Sequence, residues 1–79
     1  MVLHVTNHGI GTRIRETREG VPMRRVELAA AAGLALGTIR NYEDGLTSPD
    51  IEYLRRIADA LDVDVLWLID GDRVGEEVA

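Results

Sequence analysis

The 79-residue chain has no cysteine, no lysine and no phenylalanine, and it holds a single serine and two prolines. Without cysteine, neither disulfides nor thiolate metal sites are available. No apolar run approaches the roughly 18 residues of a membrane span. The start, MVLHVTNHG, lacks a basic segment followed by a long apolar one, so it does not read as a secretory signal. The cytoplasm is therefore the expected compartment. Ser48 has no histidine near it in sequence, and no other catalytic constellation is visible, so an enzyme is not expected. His4 and His8 have a metal-compatible spacing only if helical, and no further ligand lies nearby, so neither a metal nor another cofactor is expected.

What remains is a globular composition, with 46% apolar and 29% charged residues. A chain this short forms one domain near the lower limit for a self-sufficient core. The net charge of −5 at first argues against a nucleic-acid partner. Its distribution is uneven, however. Residues 1–45 hold six arginines and five acids, a net +1, whereas residues 46–79 hold three arginines and nine acids, a net −6. The front half can thus face phosphate while the acidic half turns away, because DNA binding depends on local neutralisation. All nine basic residues are arginine, whose fork suits phosphate and guanine. A GC-rich coding sequence also accounts for abundant Arg, Ala, Gly, Val and Asp.

Apolar spacing predicts five short helices in an all-α domain. Ile10 and Ile14, with Thr17, line the inner side of a first helix over about 10–19, broken at Gly20-Val21-Pro22. Leu28, Ala29 and Ala32 give one apolar face to a second helix over about 25–32. Gly33 follows at once, placed to end it in the left-handed conformation without a Cβ penalty. Ile39 and Tyr42 sit three apart on a third helix over about 36–43, with Gly45 placed to stop it. Ala29 is small enough to let that helix approach the second. Asp50 caps a fourth helix through Leu61, with Ile51, Leu54, Ile57, Ala58 and Leu61 as its inner stripe. Asp64 caps a last helix over about 65–69, ended by Asp70-Gly71. The expected organisation is an arm over 1–9, a domain over 10–71 and a loose acidic tail over 72–79. Val2–Val5 are a candidate short strand within the arm, with a frayed terminus the plainer reading.

Two short helices joined by such a turn make a helix-turn-helix, a unit that presents its second helix to a DNA major groove. Motifs from Gly11 to Gly71 extend that pattern. They run Gly11-x-x-Ile14-Arg15-x-x-Arg18, Leu28-Ala29-x-x-x-Gly33-Leu34, Thr38-Ile39-x-x-Tyr42-Glu43-x-Gly45, Pro49, Leu54-x-x-Ile57-Ala58-x-Ala60-Leu61 and Val63-Asp64-Val65-x-Trp67-Leu68-Ile69-x-Gly71. In this order the chain resembles the Cro/cI-type (XRE-like) helix-turn-helix regulators. The resemblance implies a five-helix, lambda-repressor-like domain. It also implies a DNA-binding transcriptional regulator, with repression the expected sign and a bacterial or phage source. Binding is expected on double-stranded DNA at a palindromic operator, as a homodimer.

The resemblance places an Arg18–Glu43 pair between the first and third helices. A partly buried pair of this kind fixes geometry more than it adds stability. Relatives carry Ser or Thr and then Gln at the start of the second helix, where this chain has Arg24 and Arg25. The lost cap costs about 1 kcal/mol, and the two cations become phosphate candidates, although the helix dipole disfavours them there. The third helix opens with Ala35, Leu36 and Gly37 in place of the usual cap and polar readers. Leu36 is suited to a thymine methyl, and Gly37 to close backbone approach. If the helix starts later, Thr38 becomes its cap. Otherwise Thr38, Arg40 and Asn41 remain as polar readers, with Arg40 suited to guanine and Asn41 to adenine or phosphate. Thr47 and Ser48 in the next loop are further phosphate candidates by family position. Val65, Leu66, Trp67 and Ile69 are the expected dimer interface, because the last helix is apolar all round and Trp often anchors interfaces. Two other readings fit the same scaffold: an antitoxin or other module binding a protein partner, and the DNA-binding domain of a larger ligand-sensing regulator.

Overall fold

A computed structural model of the chain describes residues 9–71. The proposed strand, both histidines and the acidic tail lie outside that range. Among the described residues there are five helices and no strand: α1 Ile10–Gly20, α2 Arg25–Ala32, α3 Leu36–Glu43, α4 Ile51–Leu61 and α5 Val65–Asp70. The expected bounds of α2, α3 and α4 match. The first and last helices each run one residue further, so α1 includes Gly20 and is ended by Val21-Pro22.

Local chemistry sets these bounds. The Asp50 carboxylate accepts from the Tyr53 backbone N–H at 2.9 Å, and that of Asp64 from Leu66 at 3.1 Å, so both are true N-caps. At the other end of α2, Gly33 adopts φ +72°. Its N–H reaches Ala30 O at 3.3 Å while that of Leu34 reaches Ala29 O at 2.9 Å. This is a complete Schellman closure, and it turns the chain sharply into α3. The same closure ends α4, where the left-handed residue is Asp62 at φ +60° rather than a glycine. An aspartate tolerates that conformation better than most residues, though its charge at a helix C-terminus opposes the dipole.

The core is drawn from every helix. Ile14, Leu28, Ile39, Ile57 and Leu68 are fully buried. Each contributes about 1.5–3 kcal/mol relative to exposure. α2 packs on α3 and α4, while α1 packs across α3, α4 and α5. In the inner stripe expected for α4, Leu54, Ile57, Ala58 and Leu61 are buried, but Ile51 is 56% exposed. It is the first residue of the helix, one turn before the stripe reaches the core. At the junction of α1 and α3 the backbones touch: a Cβ on Gly11 would overlap the Tyr42 carbonyl oxygen. Only glycine allows this approach.

α5 is tied to α1 by side chains as well as by packing. Arg13 Nε donates to Leu68 O at 2.8 Å, and its Nη2 donates to Ile69 O. A cation therefore covers the carbonyl end of the last helix, where the dipole favours it. Trp67 Nε1 donates to Thr17 Oγ1 at 3.1 Å.

Candidate nucleic-acid interface

α3 divides into two faces. Ile39, Tyr42 and Glu43 are buried against the rest of the domain. Gly37, Arg40, Asn41 and Asp44 share the opposite face by helical spacing, and all four are exposed. The side chains of Arg40 and Asn41 make no hydrogen bond among the described residues. Leu36 and Thr38 are half-buried at the start of the helix. Ala35 is the N-cap and offers no side-chain bond, so the helix starts at Leu36 and the alternative of Thr38 as cap is corrected. A Cβ at Gly37 would meet nothing within 4 Å, so the fold itself does not require a glycine there.

The inner end of α3 is held by charge. Arg18 Nε donates to Glu43 Oε2 at 2.7 Å and its Nη2 to Oε1 at 3.0 Å, a two-pronged pair that is buried on both sides. Arg18 Nη1 also donates to Met23 O at 2.9 Å, which fixes the α1–α2 connection. The Arg25 Nε reaches Glu43 Oε1 at 2.9 Å as a third bond. Burial pushes the Glu43 carboxyl upward, but the hydrogen bonds from Arg18 and Arg25 outweigh that and hold it below its ordinary value. The bond to Glu43 in turn raises Arg18, so both partners stay ionised. Among the described residues no buried side-chain polar atom lacks a partner.

Of the proposed phosphate contacts, Arg24 and Arg25 stand at the start of α2, and Thr47 and Ser48 follow α3. Arg24 is exposed and half of its lost cap is replaced: its backbone N–H donates to Glu27 Oε1 at 2.7 Å. This is the reciprocal half of a capping box, and that hydrogen bond holds the Glu27 carboxyl below its ordinary value. A glutamate three residues into the helix was the sequence signal for it, hidden because Arg24 is not a capping residue. Thr47 and Ser48 are exposed in the α3–α4 loop. They face the start of α1 across a cleft of about 450 Å³ that also includes Gly11, Thr12 and Tyr42. Of the residues proposed for a dimer interface, Val65 and Ile69 pack partly into the core, which narrows the open apolar surface to Leu66 and Trp67, 49% and 37% exposed. The sequence reading missed Arg25–Glu43 and Arg13–α5, because long side chains make both contacts between distant residues.

Five helices with this turn, and with one face of α3 open, define a helix-turn-helix domain. A helix-turn-helix family profile matches residues 14–68, and the chain belongs to that family, of the Cro/cI type. Its fold is the lambda-repressor-like one. The chain is similar to the DNA-binding domain of the P22 c2 repressor, solved in solution by nuclear magnetic resonance, at 30% identity and a TM-score of 0.78. That match covers 81% of this chain and 84% of the repressor fragment. It is likewise similar to the P22 c2 repressor in a crystal with synthetic operator 9T and Tl+, at 30% identity and a TM-score of 0.76, covering 81% and 97%. No curated protein matches the chain. None of the helices among the described residues is long and apolar enough to cross a membrane.

Proposed function

We propose that this chain is a sequence-specific DNA-binding transcriptional regulator, acting by occupancy as a repressor. The observation that carries this reading is the division of α3: an inner face committed to the core and an outer face bearing Gly37, Arg40 and Asn41, all exposed among the described residues. The likeness to a repressor bound to a synthetic operator supports it. In this reading α3 enters the major groove. Arg40 forks onto a guanine, Asn41 meets adenine or a phosphate, and Leu36 packs on a thymine methyl beside Thr38. Arg24, Arg25, Thr47 and Ser48 take phosphates. Residues 10–71 form the binding unit, flanked by an arm over 1–9 and an acidic tail over 72–79, and the protein works in the cytoplasm.

A single module reads few base pairs, so the unit acts as a homodimer on a two-fold site. Leu66, whose side chain is half exposed on α5, is its centre, with Trp67 beside it and Val65 and Ile69 as support. Mobility-shift titration of the full chain on genomic fragments tests the DNA reading: binding that falls steeply with salt is expected, and no shift at low salt refutes it. Sedimentation tests the interface. Leu66→Glu is expected to yield monomers where the parent chain dimerises, and an unchanged dimer rejects the assignment.

A further inference from the structure

The helix-turn-helix is closed at Gly33, and its far ends are the first residue of α2 and the last of α3. Those residues, Arg25 and Glu43, meet at 2.9 Å, so the unit is tied at both its turn and its open end. Glu43 is the hub: its side chain is fully buried and accepts three bonds from two guanidinium groups. Glu43 faces both guanidinium groups, and the Glu19 carboxylate lies 3.9 Å from Arg18 as well, so Arg18 is neutralised from two sides. Arg18 is buried and uses its remaining reach on Met23 O, whereas the Arg25 side chain is 35% exposed. Apart from the Nε–H held by Glu43, the Arg25 donors make no hydrogen bond among the described residues. Of the two guanidinium groups on Glu43, Arg25 is therefore the one with donors open to solvent.

We infer that Arg25 is a pre-organised oxyanion fork, clamped through Nε by Glu43 and offering its Nη edge to one phosphate of the DNA backbone. This deepens the DNA-binding reading and rests on it. A guanidinium can serve two anions because its donors lie in one rigid plane with two usable edges. Clamping one edge leaves less rotamer freedom to lose when the other edge binds. It also offsets the unfavourable placement of a cation at the start of α2, since Glu43 supplies the negative charge that the helix dipole prefers there.

The test is fluorescence anisotropy of the full chain on a short mixed-sequence duplex across a range of salt, with urea unfolding of each variant. Arg25→Gln is expected to weaken low-salt binding several-fold and to reduce the slope of log K against log salt by about one. Arg25→Lys keeps the charge and hence the slope, but binds less tightly than the parent because a single ammonium cannot hold both anions in fixed geometry. It also carries the test if Arg25→Gln fails to fold. An unchanged slope in folded Arg25→Gln, or Arg25→Lys equal to the parent chain, overturns the fork. A parent chain that does not bind duplex at low salt removes the DNA-binding reading, and the fork with it.

Discussion

The two faces of α3 obey different rules. On the inner face every group is accounted for: Ile39 and Tyr42 are in the core, and Glu43 is saturated by Arg18 and Arg25. On the outer face the side chains of Arg40 and Asn41 are exposed and make no hydrogen bond among the described residues. Two glycines make the contrast concrete. Gly11 is required, because any side chain there would strike the Tyr42 carbonyl, whereas Gly37 stands in open space inside a helix. Fold explains the first glycine. The second stands where the proposed close approach of DNA to the backbone would fall.

The largest expected effect comes from breaking the inner face. Glu43→Ala leaves two cations clustered without their carboxylate and should cost about 3 kcal/mol in urea unfolding. A loss below 1 kcal/mol would show the hub to be dispensable. The same group gives acid sensitivity. Its pKa is depressed in the folded state, so its contribution is complete above the ordinary carboxylate range of about pH 4–5. It is lost as pH falls through the lower folded value. The stability of Glu43→Gln should accordingly decline less than that of the parent chain over that acid window.

Gly11→Ala follows, with an expected loss of about 2 kcal/mol as α1 is forced off α3. A neutral result would mean that the two backbones are not in contact. Gly37→Ala should behave oppositely. It replaces a helix glycine with no clash to meet, so stability should rise by up to about 1 kcal/mol while duplex binding weakens. Tighter binding would show that the open position is not an approach site. Arg40→Ala is expected to change stability least, by under about 0.5 kcal/mol, because its side chain is exposed and makes no hydrogen bond among the described residues.

The legibility of the sequence follows the same division. The bounds of α2 and α3 were readable because Gly33 and Gly45 stop them, and both adopt positive φ. Asp50 and Asp64 announced α4 and α5 because capping is a contact over two or three residues. Ile51 misled, since periodicity gives the face of a helix but not where along its length the core begins. Gly11 was visible as a motif residue, yet its reason lies 31 residues away in the Tyr42 carbonyl. The Arg25–Glu43 tie joins residues 18 apart through long side chains. Arg13, which caps α5 from 55 residues away, is the same case. On the outer face the sequence supplied residue types without partners, and the roles of Leu36, Thr38, Arg40 and Asn41 remain proposals for that reason.

Base reading by the open face of α3 is the proposal on which the DNA-binding function stands. Selection of bound duplexes from a random library, run in parallel for the parent chain and Arg40→Ala, tests it most directly. The parent chain is expected to enrich one two-fold-symmetric sequence, and Arg40→Ala to relax preference at a single position in each half-site, with the rest retained. Identical enriched sequences from both chains, or no enrichment by the parent chain at low salt, would contradict it.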